Sequence, residues 1–343
     1  MEVFHTQDGQ VAKFIHADGS ETAIKAVPSQ SSFMDPETGE VRVRHTDRNK
    51  YSVFVSSSVG CYLKCPMCHL TIKDSVYRPL RGDQILENLK EALIDEMRVR
   101  PALASKYMKL CWMGMGDALN EPAMVRDISN RFIEWVFEEG FAAGLDCVDL
   151  STVMPRVSPV WQSEFKALRE ELSKWPKNPL NAQVEQAELS THDTYQARPP
   201  FRLFYSVHSA IQETRDKMAP RTTPVEEAIS RLKEFGGPAA GLIFHQLFVE
   251  GLNDSLEEVR ALSRFMGNHF PDNELRVLRY NHCDRSPWRE WESVQAAVSQ
   301  LAQSVQHLKV QISAGNEVQA ACGQFLVART RTVERLRIPV VVR

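Results

Sequence analysis

The first 50 residues alternate short apolar runs with turn residues. Three β-prone runs lie before position 28, separated by Asp8-Gly9 and Asp18-Gly19, and a fourth run spans 41–44. An Asp-Gly pair between alternating apolar segments is the strongest short-range signal for a β-hairpin. The pattern therefore predicts a small N-terminal β unit at residues 1–50.

From residue 51 onward, strand-like and helix-like segments alternate. Helical periodicity is clear at 83–98 and extends over 292–308 near the end of the chain. Six strand-like apolar runs lie at 51–55, 107–113, 147–150, 201–207, 242–249 and 275–280. Repeated strand–helix units favour an α/β fold with parallel strands, a partial (β/α)6-type barrel. In such folds the chemistry lies on loops that follow the carboxyl ends of the strands.

This periodicity divides the 343-residue chain into three predicted regions. The β unit covers 1–50, the barrel 51–285, and a C-terminal helix, loop and basic tail 286–343. The polar, proline-containing stretch 175–200 has no clear period and is predicted to be a long insertion.

Composition describes an ordinary globular protein, with 43% hydrophobic and 25% charged residues. The formal net charge of −3 gives no overall attraction to nucleic acid, so contact with RNA would require local basic patches. The strand at 41–44, with Arg48 and Lys50 after it, and the arginine-rich tail at 329–343 are two candidates. A solvated face is the favoured interpretation for the strand, and the tail is equally compatible with a solvated end.

The seven cysteines are odd in number and three of them are clustered, which argues against a secreted disulfide scaffold. The N-terminus lacks the pattern of a signal peptide, and no apolar stretch is long enough to span a bilayer. The sequence predicts a cytoplasmic protein that has no membrane partner, and we expect it to be a monomer.

Cys61, Cys65 and Cys68 form a C-x3-C-x2-C pattern directly after a predicted strand. A structural zinc site requires four ligands, and no second cysteine pair follows at a regular spacing. Three thiolates on one loop suit a [4Fe-4S] cluster with one iron free of protein ligands. That iron can bind S-adenosylmethionine (SAM) and pass an electron to its sulfonium, which makes radical chemistry the favoured interpretation. Three buried or zinc-binding cysteines are the alternative.

Further motifs follow in a fixed order along the chain. They are 55–61 around the first cysteine, 113–120 with Gly116-Asp117, 150–152, 205–209 with Arg215-Asp216, 251–254, and Ala320-Ala321-Cys322-Gly323-Gln324. Together they make residues 53–324 resemble the radical SAM RNA adenine methyltransferases. This family modifies C2 or C8 of an adenine in 23S rRNA and C2 in tRNA, and it includes the chloramphenicol–florfenicol resistance enzyme.

The resemblance implies a radical SAM barrel, a rRNA or tRNA substrate, and a reductant such as flavodoxin or ferredoxin. It implies that the three loop cysteines hold the cluster. The positions that match the family's SAM-binding residues are Gly116, Asp117, Ser151, Ser206, Val207, His208 and Asn281.

Cys322 matches the family's methyl-carrying cysteine. In the family, one SAM methylates this thiol by nucleophilic substitution. A radical derived from a second SAM then takes a hydrogen from the S-methyl group, and the resulting carbon radical adds to the adenine ring. The resemblance therefore implies transfer of a methyl-derived carbon to an sp2 carbon of an RNA adenine through methylated Cys322. A buried cysteine before a glycine turn is the alternative for this position.

Several positions depart from the family pattern. Phe54 stands where the family has a second cysteine that resolves the enzyme–RNA adduct, and Val41, beside Glu40, stands where it has a catalytic glutamate. Asp117 replaces a glutamate, and the short β unit replaces a larger helical domain. Three hypotheses remain open: another thiol, Cys283 or Cys147, resolves the adduct; the substrate or product differs; or the protein is a non-catalytic binder of RNA or ribosomes.

Overall fold

The structure is a computed structural model of the 343-residue chain. It describes residues 1–26, 49–178, 199–282 and 286–311, together with the backbone of 29–34 and 41–46.

Fourteen strands and eight α-helices occur in the described ranges. The strands are β1 Glu2–His5, β2 Val11–Ile15, β3 Glu21–Lys25, β4 Ser29–Met34, β5 Val41–Thr46, β6 Lys50–Phe54, β7 Ser58–Val59, β8 Arg78–Pro79, β9 Tyr107–Trp112, β10 Gly144–Thr152, β11 Phe201–Ser206, β12 Leu242–Leu247, β13 Glu274–Leu278 and β14 Leu308–Gln311. The helices are α1 His69–Ile72, α2 Gly82–Val99, α3 Pro122–Glu138, α4 Trp161–Leu172, α5 Gln212–Met218, α6 Val225–Phe235, α7 Leu256–His269 and α8 Val294–Ala302. Short 3-10 helices lie at Pro101–Ser105, Ala118–Asn120 and Pro238–Ala240.

Twelve of these strands form one sheet in the order β1-β2-β3-β6-β9-β10-β11-β12-β13-β14-β4-β5. Neighbours from β6 to β14 are parallel, and helices connect most of them, which confirms the predicted α/β parallel-strand architecture. The first three strands extend one edge as antiparallel hairpins, and both predicted Asp-Gly turns are present. β4 and β5 extend the opposite edge.

One face of the parallel strands carries apolar residues that pack against the helices. Val53 on β6 and Leu110 on β9 are fully buried in the same core as Leu89 of α2 and Phe132 of α3. The helix predicted at 83–98 buries the apolar stripe expected from its periodicity. Packing of the helices on the sheet therefore determines which side of each strand faces the helices.

The opposite face carries buried charges, which lie inside the barrel. Lys109 and Arg202 both pair with Asp149, at 2.6 and 2.7 Å. Lys50 pairs with Asp146 at 3.3 Å and is buried, so it does not serve as a surface contact for phosphate. These paired charges fill the interior below the carboxyl ends of the strands.

The C-terminal helix is shorter than the sequence predicts. It ends at Ala302 instead of 308, and Leu308 begins β14, where it pairs with Leu275. The spacing of Leu301, Val305 and Leu308 mimics a helical stripe, but pairing with β13 determines the conformation. Most of the predicted insertion and the whole basic tail lie outside the described residues.

None of the helices in the described ranges has the length and hydrophobicity needed to cross a bilayer.

Candidate active site

Every described residue that the sequence predicted to bind a cofactor lies after, or at the end of, a parallel strand. Cys61, Cys65 and Cys68 follow β6, Gly116 and Asp117 follow β9, Ser151 lies near the end of β10, Ser206 ends β11 with Val207 and His208 after it, and Asn281 follows β13. Carboxyl ends of parallel strands meet at one edge of a sheet, so the structure brings these residues to one edge. Cys322 and Cys283 lie outside the described residues.

The cysteine loop is closed at its base by a small ladder in which β7 pairs with β8. Gly60 begins the loop with φ +64°, and a Cβ there would stand 2.6 Å from the carbonyl oxygen of Val76. Glycine is therefore required both for the backbone conformation and for the close approach. The Gly60 amide also donates to Met115 Sδ at 3.4 Å, which joins the loop to the end of β9.

Side chains from distant segments hold the loop in place. Tyr62 donates its hydroxyl to Asn120 Oδ1 at 2.8 Å, and Arg221 donates to the Tyr62 carbonyl at 2.6 Å. On the far side, Trp288 Nε1 donates to the carbonyl of Pro66 at 3.0 Å. The loop is thus fixed by parts of the chain more than 50 residues away.

The three thiols are half-buried, with Cys61 and Cys68 against one small apolar cluster and Cys65 against another. Burial raises the pKa of Cys61 to about 12, and the neighbouring Cys68 and Asp117 add to the increase. Burial and the other two thiols raise the pKa of Cys65 as well. Deprotonated thiols at these positions need a cation, and coordination to iron supplies one.

In the described ranges, no group of three His, Cys, Asp or Glu side chains is placed to hold a single metal ion. Ligands of a polynuclear iron–sulfur cluster bind different irons, so they need not converge. Three thiols on one loop are the donor set of a [4Fe-4S] cluster with one iron free of protein ligands, whereas a structural zinc site requires four ligands.

The glycines after β9 allow that loop to lie directly against the chain before the cysteines. A Cβ on Gly114 would stand 2.6 Å from Ser56 Oγ, and Gly116 has φ +87° with Ser57 Oγ 2.5 Å from its Cβ position. The Ser57 amide donates to the Met115 carbonyl at 2.9 Å. Glycine is therefore needed at both positions, because any side chain would displace the serine hydroxyls against which the loop packs.

Asp117 is buried and joins the ends of β9 and β10. Its carboxylate accepts from the Leu119 amide at 3.0 Å, the Thr152 hydroxyl at 2.9 Å and the Val153 amide at 3.0 Å. Burial raises the pKa of Asp117 to about 6, although these hydrogen bonds lower it. The carboxylate of Asp117, which replaces the longer glutamate of the family, is thus occupied by hydrogen bonds within the protein, beside Ser151.

Arg215 holds together the ends of β10 and β11. Its guanidinium is fully buried, donates to the carbonyls of Ser206 (3.1 Å), Val207 and Val153 (2.7 Å), and lies 5.1 Å from the Tyr205 ring centroid. Because it lies near Cys65, its positive charge also opposes the rise in the pKa of that thiol.

His208 follows β11 in a left-handed conformation, with φ +55°. Its carbonyl accepts from Gln246 at 3.0 Å and Asn253 at 2.5 Å, which fixes the turn. Burial, with a smaller contribution from the charge of Arg215, lowers the pKa of His208 to about 3, so its ring is neutral. Its buried Nδ1 makes no hydrogen bond within the described residues, and a ligand at this edge would have this atom within reach.

Sequence reasoning assigned no role to Arg215, Asn253 or Thr152, although all three stand within the motifs named above. A fully buried arginine and an asparagine bound to backbone carbonyls leave no periodic pattern. Only the motif order pointed to them.

No family model matches the sequence. The chain is 24% identical over 298 residues to the dual-specificity RNA methyltransferase RlmN of Paracoccus denitrificans, covering 83% of this chain and 66% of that protein. It is 25% identical over 334 residues to the enzyme of the same name from Nitrobacter winogradskyi, covering 92% of this chain and 72% of the relative. The resemblance seen in the sequence is confirmed. The match spans just under two thirds of the Paracoccus protein.

Among solved structures, the crystal structure of a radical SAM methyltransferase from Sphaerobacter thermophilus superposes with a TM-score of 0.61. It is 18% identical and aligns over 94% of this chain and 80% of that chain. The predicted radical SAM barrel is therefore confirmed as the fold.

Proposed function

We propose that this protein is a radical SAM methyltransferase that transfers a SAM-derived methyl carbon, through methylated Cys322, to an sp2 carbon of an RNA adenine. The observation that carries the proposal is the placement of the three-thiol loop at the same sheet edge as Gly116, Ser151 and His208. Similarity to RNA methyltransferases over most of the chain supports RNA as the substrate.

In this proposal Cys61, Cys65 and Cys68 hold the [4Fe-4S] cluster. When bound, the cluster would supply the electron that cleaves SAM. Gly116 keeps the loop after β9 packed against Ser57 and Ser58 beside the cysteine loop, and the neutral His208 ring offers Nδ1 to the ligand. Holding the ligand in this way confines a reactive group within reach of one target atom.

The reductant is proposed to be a small redox protein such as flavodoxin or ferredoxin, and the enzyme is proposed to act as a cytoplasmic monomer. A reducing compartment suits a chain with clustered free thiols.

Resolution of the adduct is the step for which the sequence departs most from its relatives. The Phe54 ring lies 4.6 Å from Lys25 Nζ and packs in the apolar cluster that contains Cys61 and Cys68. Cys111 pairs directly with Phe54 on the neighbouring strand, but it is fully buried and burial raises its pKa to about 12. Cys147 contacts Asp149 and Arg202 within the barrel, four residues before Ser151, a distance of about 13 Å along a strand.

Burial among paired charges argues against Cys147 as the resolving thiol and leaves Cys283 as the first candidate. A different substrate or product is the alternative that Phe54 favours. Cys283→Ala, Cys111→Ala and Cys147→Ala should be compared for trapped covalent RNA adducts on denaturing gels. Trapping by Cys283→Ala alone supports another thiol as the resolving group, whereas unchanged turnover in all three variants favours the different substrate.

The proposed function is tested with anaerobically reconstituted protein, dithionite and SAM. We expect 5′-deoxyadenosine, an added methyl group on the Cys322 peptide by mass spectrometry, and loss of adenine methylation in RNA from cells that lack the protein. A preparation that binds RNA but forms no 5′-deoxyadenosine would leave only the non-catalytic binder. Formation of 5′-deoxyadenosine without methylated Cys322 would refute the methyl relay.

A further inference from the structure

The segment that follows the cysteine loop exposes apolar side chains to solvent. Val76 is 81% exposed and Tyr77 38% exposed, and they are adjacent among the few large hydrophobic residues exposed in the described ranges. Scattered single residues of this kind are ordinary, but an exposed pair beside a candidate active site is not. The Tyr77 ring meets Tyr62 of the cysteine loop edge-to-face, with centroids 5.4 Å apart.

The chain segment that contains this pair is rich in positive charge. Residues 62–81 contain Lys64, Lys73, Arg78 and Arg81 against the single acid Asp74. Lys64 is paired with Asp74 at 3.5 Å. Across the loop, the exposed Arg221 adds a further guanidinium, anchored on the Tyr62 carbonyl.

Acidic groups also approach this region. Glu121 is close enough to raise the pKa of the Tyr77 hydroxyl, after the larger effect of burial. Asp83 pairs with Arg131, and Asp18 meets this region through its backbone carbonyl, which accepts from Arg78. The local balance is positive in a protein whose formal net charge is −3.

The backbone beneath these side chains is held rigidly. The β7–β8 ladder aligns Val59 with Arg78, and Ser75 Oγ donates to the Leu70 carbonyl at 2.8 Å. A platform fixed in this way presents Tyr77 without the entropy loss of ordering a loose loop.

We infer that this region is the docking surface for a single-stranded stretch of the RNA substrate, with a base stacked on Tyr77 and phosphates bound by the surrounding cations. We call it the loop surface, and it comprises Tyr62, Lys73, Val76, Tyr77, Arg81 and Arg221. The inference rests on the proposed function and adds the surface at which the RNA binds.

Nucleic acid fits this surface better than a protein partner does. Exposed aromatic rings interleaved with arginine and lysine are the elements that bind single-stranded RNA, because every base offers a face for stacking. An acidic redox protein would use the cations but has no need of an exposed tyrosine. The surface also borders the cysteine loop, where the target base must arrive.

The test measures binding of a short fluorescein-labelled single-stranded oligoribonucleotide that contains adenine to the reconstituted holoenzyme, by fluorescence anisotropy. Tyr77→Ala should raise the dissociation constant by at least about fivefold, because stacking on an aromatic side chain contributes about 1–3 kcal/mol per base. Lys73→Glu with Arg81→Glu should weaken binding and reduce the slope of its salt dependence by about one unit for each phosphate that is no longer bound. Lys166→Glu, an exposed lysine on the outer helix α4, is the matched control.

All variants should form 5′-deoxyadenosine from SAM and dithionite at the wild-type rate in the absence of RNA, since no test residue is placed in the cofactor site. Wild-type RNA affinity in the loop-surface variants would overturn the inference while leaving RNA methylation intact. Loss of turnover with flavodoxin, but not with dithionite, at unchanged RNA affinity would also overturn it and assign the surface to the reductant. Absence of RNA methylation by the wild-type enzyme would instead refute the proposed function.

Discussion

Replacement of Arg215 should directly disturb the sheet edge at which the predicted SAM-binding residues lie. Its guanidinium is fully buried and donates to the carbonyls of Ser206, Val207 and Val153, which belong to two different strand ends. Arg215→Met keeps much of the length and apolar stem of the side chain but removes its donors and its charge.

The expected loss follows from the carbonyl oxygens of Ser206 and Val153, which would lose the Arg215 donor, whereas the Val207 carbonyl still accepts from the Ser209 amide at 2.6 Å. A buried acceptor left unsatisfied costs at least about 1 kcal/mol, so two give about 2 kcal/mol. The interaction with Tyr205 adds about 1 kcal/mol or more, whereas removal of a buried charge recovers part of its desolvation cost. We expect Arg215→Met to lower the free energy of unfolding by about 2 kcal/mol.

Urea denaturation of the iron-free protein measures this difference without interference from the cluster. Arg231→Met is the control, because Arg231 also donates to one carbonyl, that of Val157, but forms a surface ion pair with Glu227. It should cost about 1 kcal/mol or less. In the loaded enzyme, Arg215→Met should raise KM for SAM, and Arg215→Lys should restore part of it. An unchanged unfolding free energy in Arg215→Met would refute the reasoning.

Two further predictions concern single positions. Gly116→Ala should raise the dissociation constant for SAM, because the added Cβ would meet two serine hydroxyls. Gly140→Ala is the control: Gly140 also has a positive φ, but the space around its Cβ position is open, so its SAM affinity should not change. Equal effects of the two variants in a binding titration would contradict the argument from close packing at Gly116. Burial and the neighbouring charge of Arg276 lower the pKa of His245 from 6.5 to about 3 in the folded protein. As the pH falls below about 6.5, His245 is therefore protonated in the unfolded chain but not in the folded protein, and the folded state loses stability. Between pH 7 and pH 5 the free energy of unfolding, extrapolated from urea denaturation to water, should fall by about 2 kcal/mol more in the wild type than in His245→Gln. Parallel pH profiles of the two proteins would exclude this account.

The sequence predicted the fold class and the sheet edge of the site because both depend on local patterns. Cysteine spacing identified the loop, and strand–helix alternation placed it after β6, where it lies. The sequence did not predict the environment of Lys50. This residue follows a basic strand in the sequence, but it pairs with Asp146 inside the barrel. Ion pairs between residues almost 100 positions apart have no local signature.

The same limit explains Asp117. From sequence alone the shorter acid is a truncated ligand, yet in the structure its carboxylate binds Thr152 and Val153 across the sheet edge. Which groups surround a strand-end acid is decided by the register between β9 and β10, including a shift between Leu145 and Cys147 that periodicity does not reveal.

Iron removal should leave the main fold intact because the thiols lie outside the main apolar core. Cys61 and Cys68 pack with Val11 and Ala23 in a small separate cluster, and Cys65 packs in another. A structural zinc site would behave differently, since its metal supplies folding energy outright.

A bound ligand stabilises the folded state by mass action, and chelation removes that contribution. Apart from it, chelation under anaerobic conditions should change the free energy of unfolding, measured by urea denaturation, by no more than about 1 kcal/mol. Hydrogen exchange should quicken in 58–75 and in the hairpin strands β2 and β3, which share the small cluster with the cysteine loop, and stay slow in β9 to β12. Global unfolding on iron loss would show instead that the cluster, and not the packing of helices on the sheet, holds the barrel together.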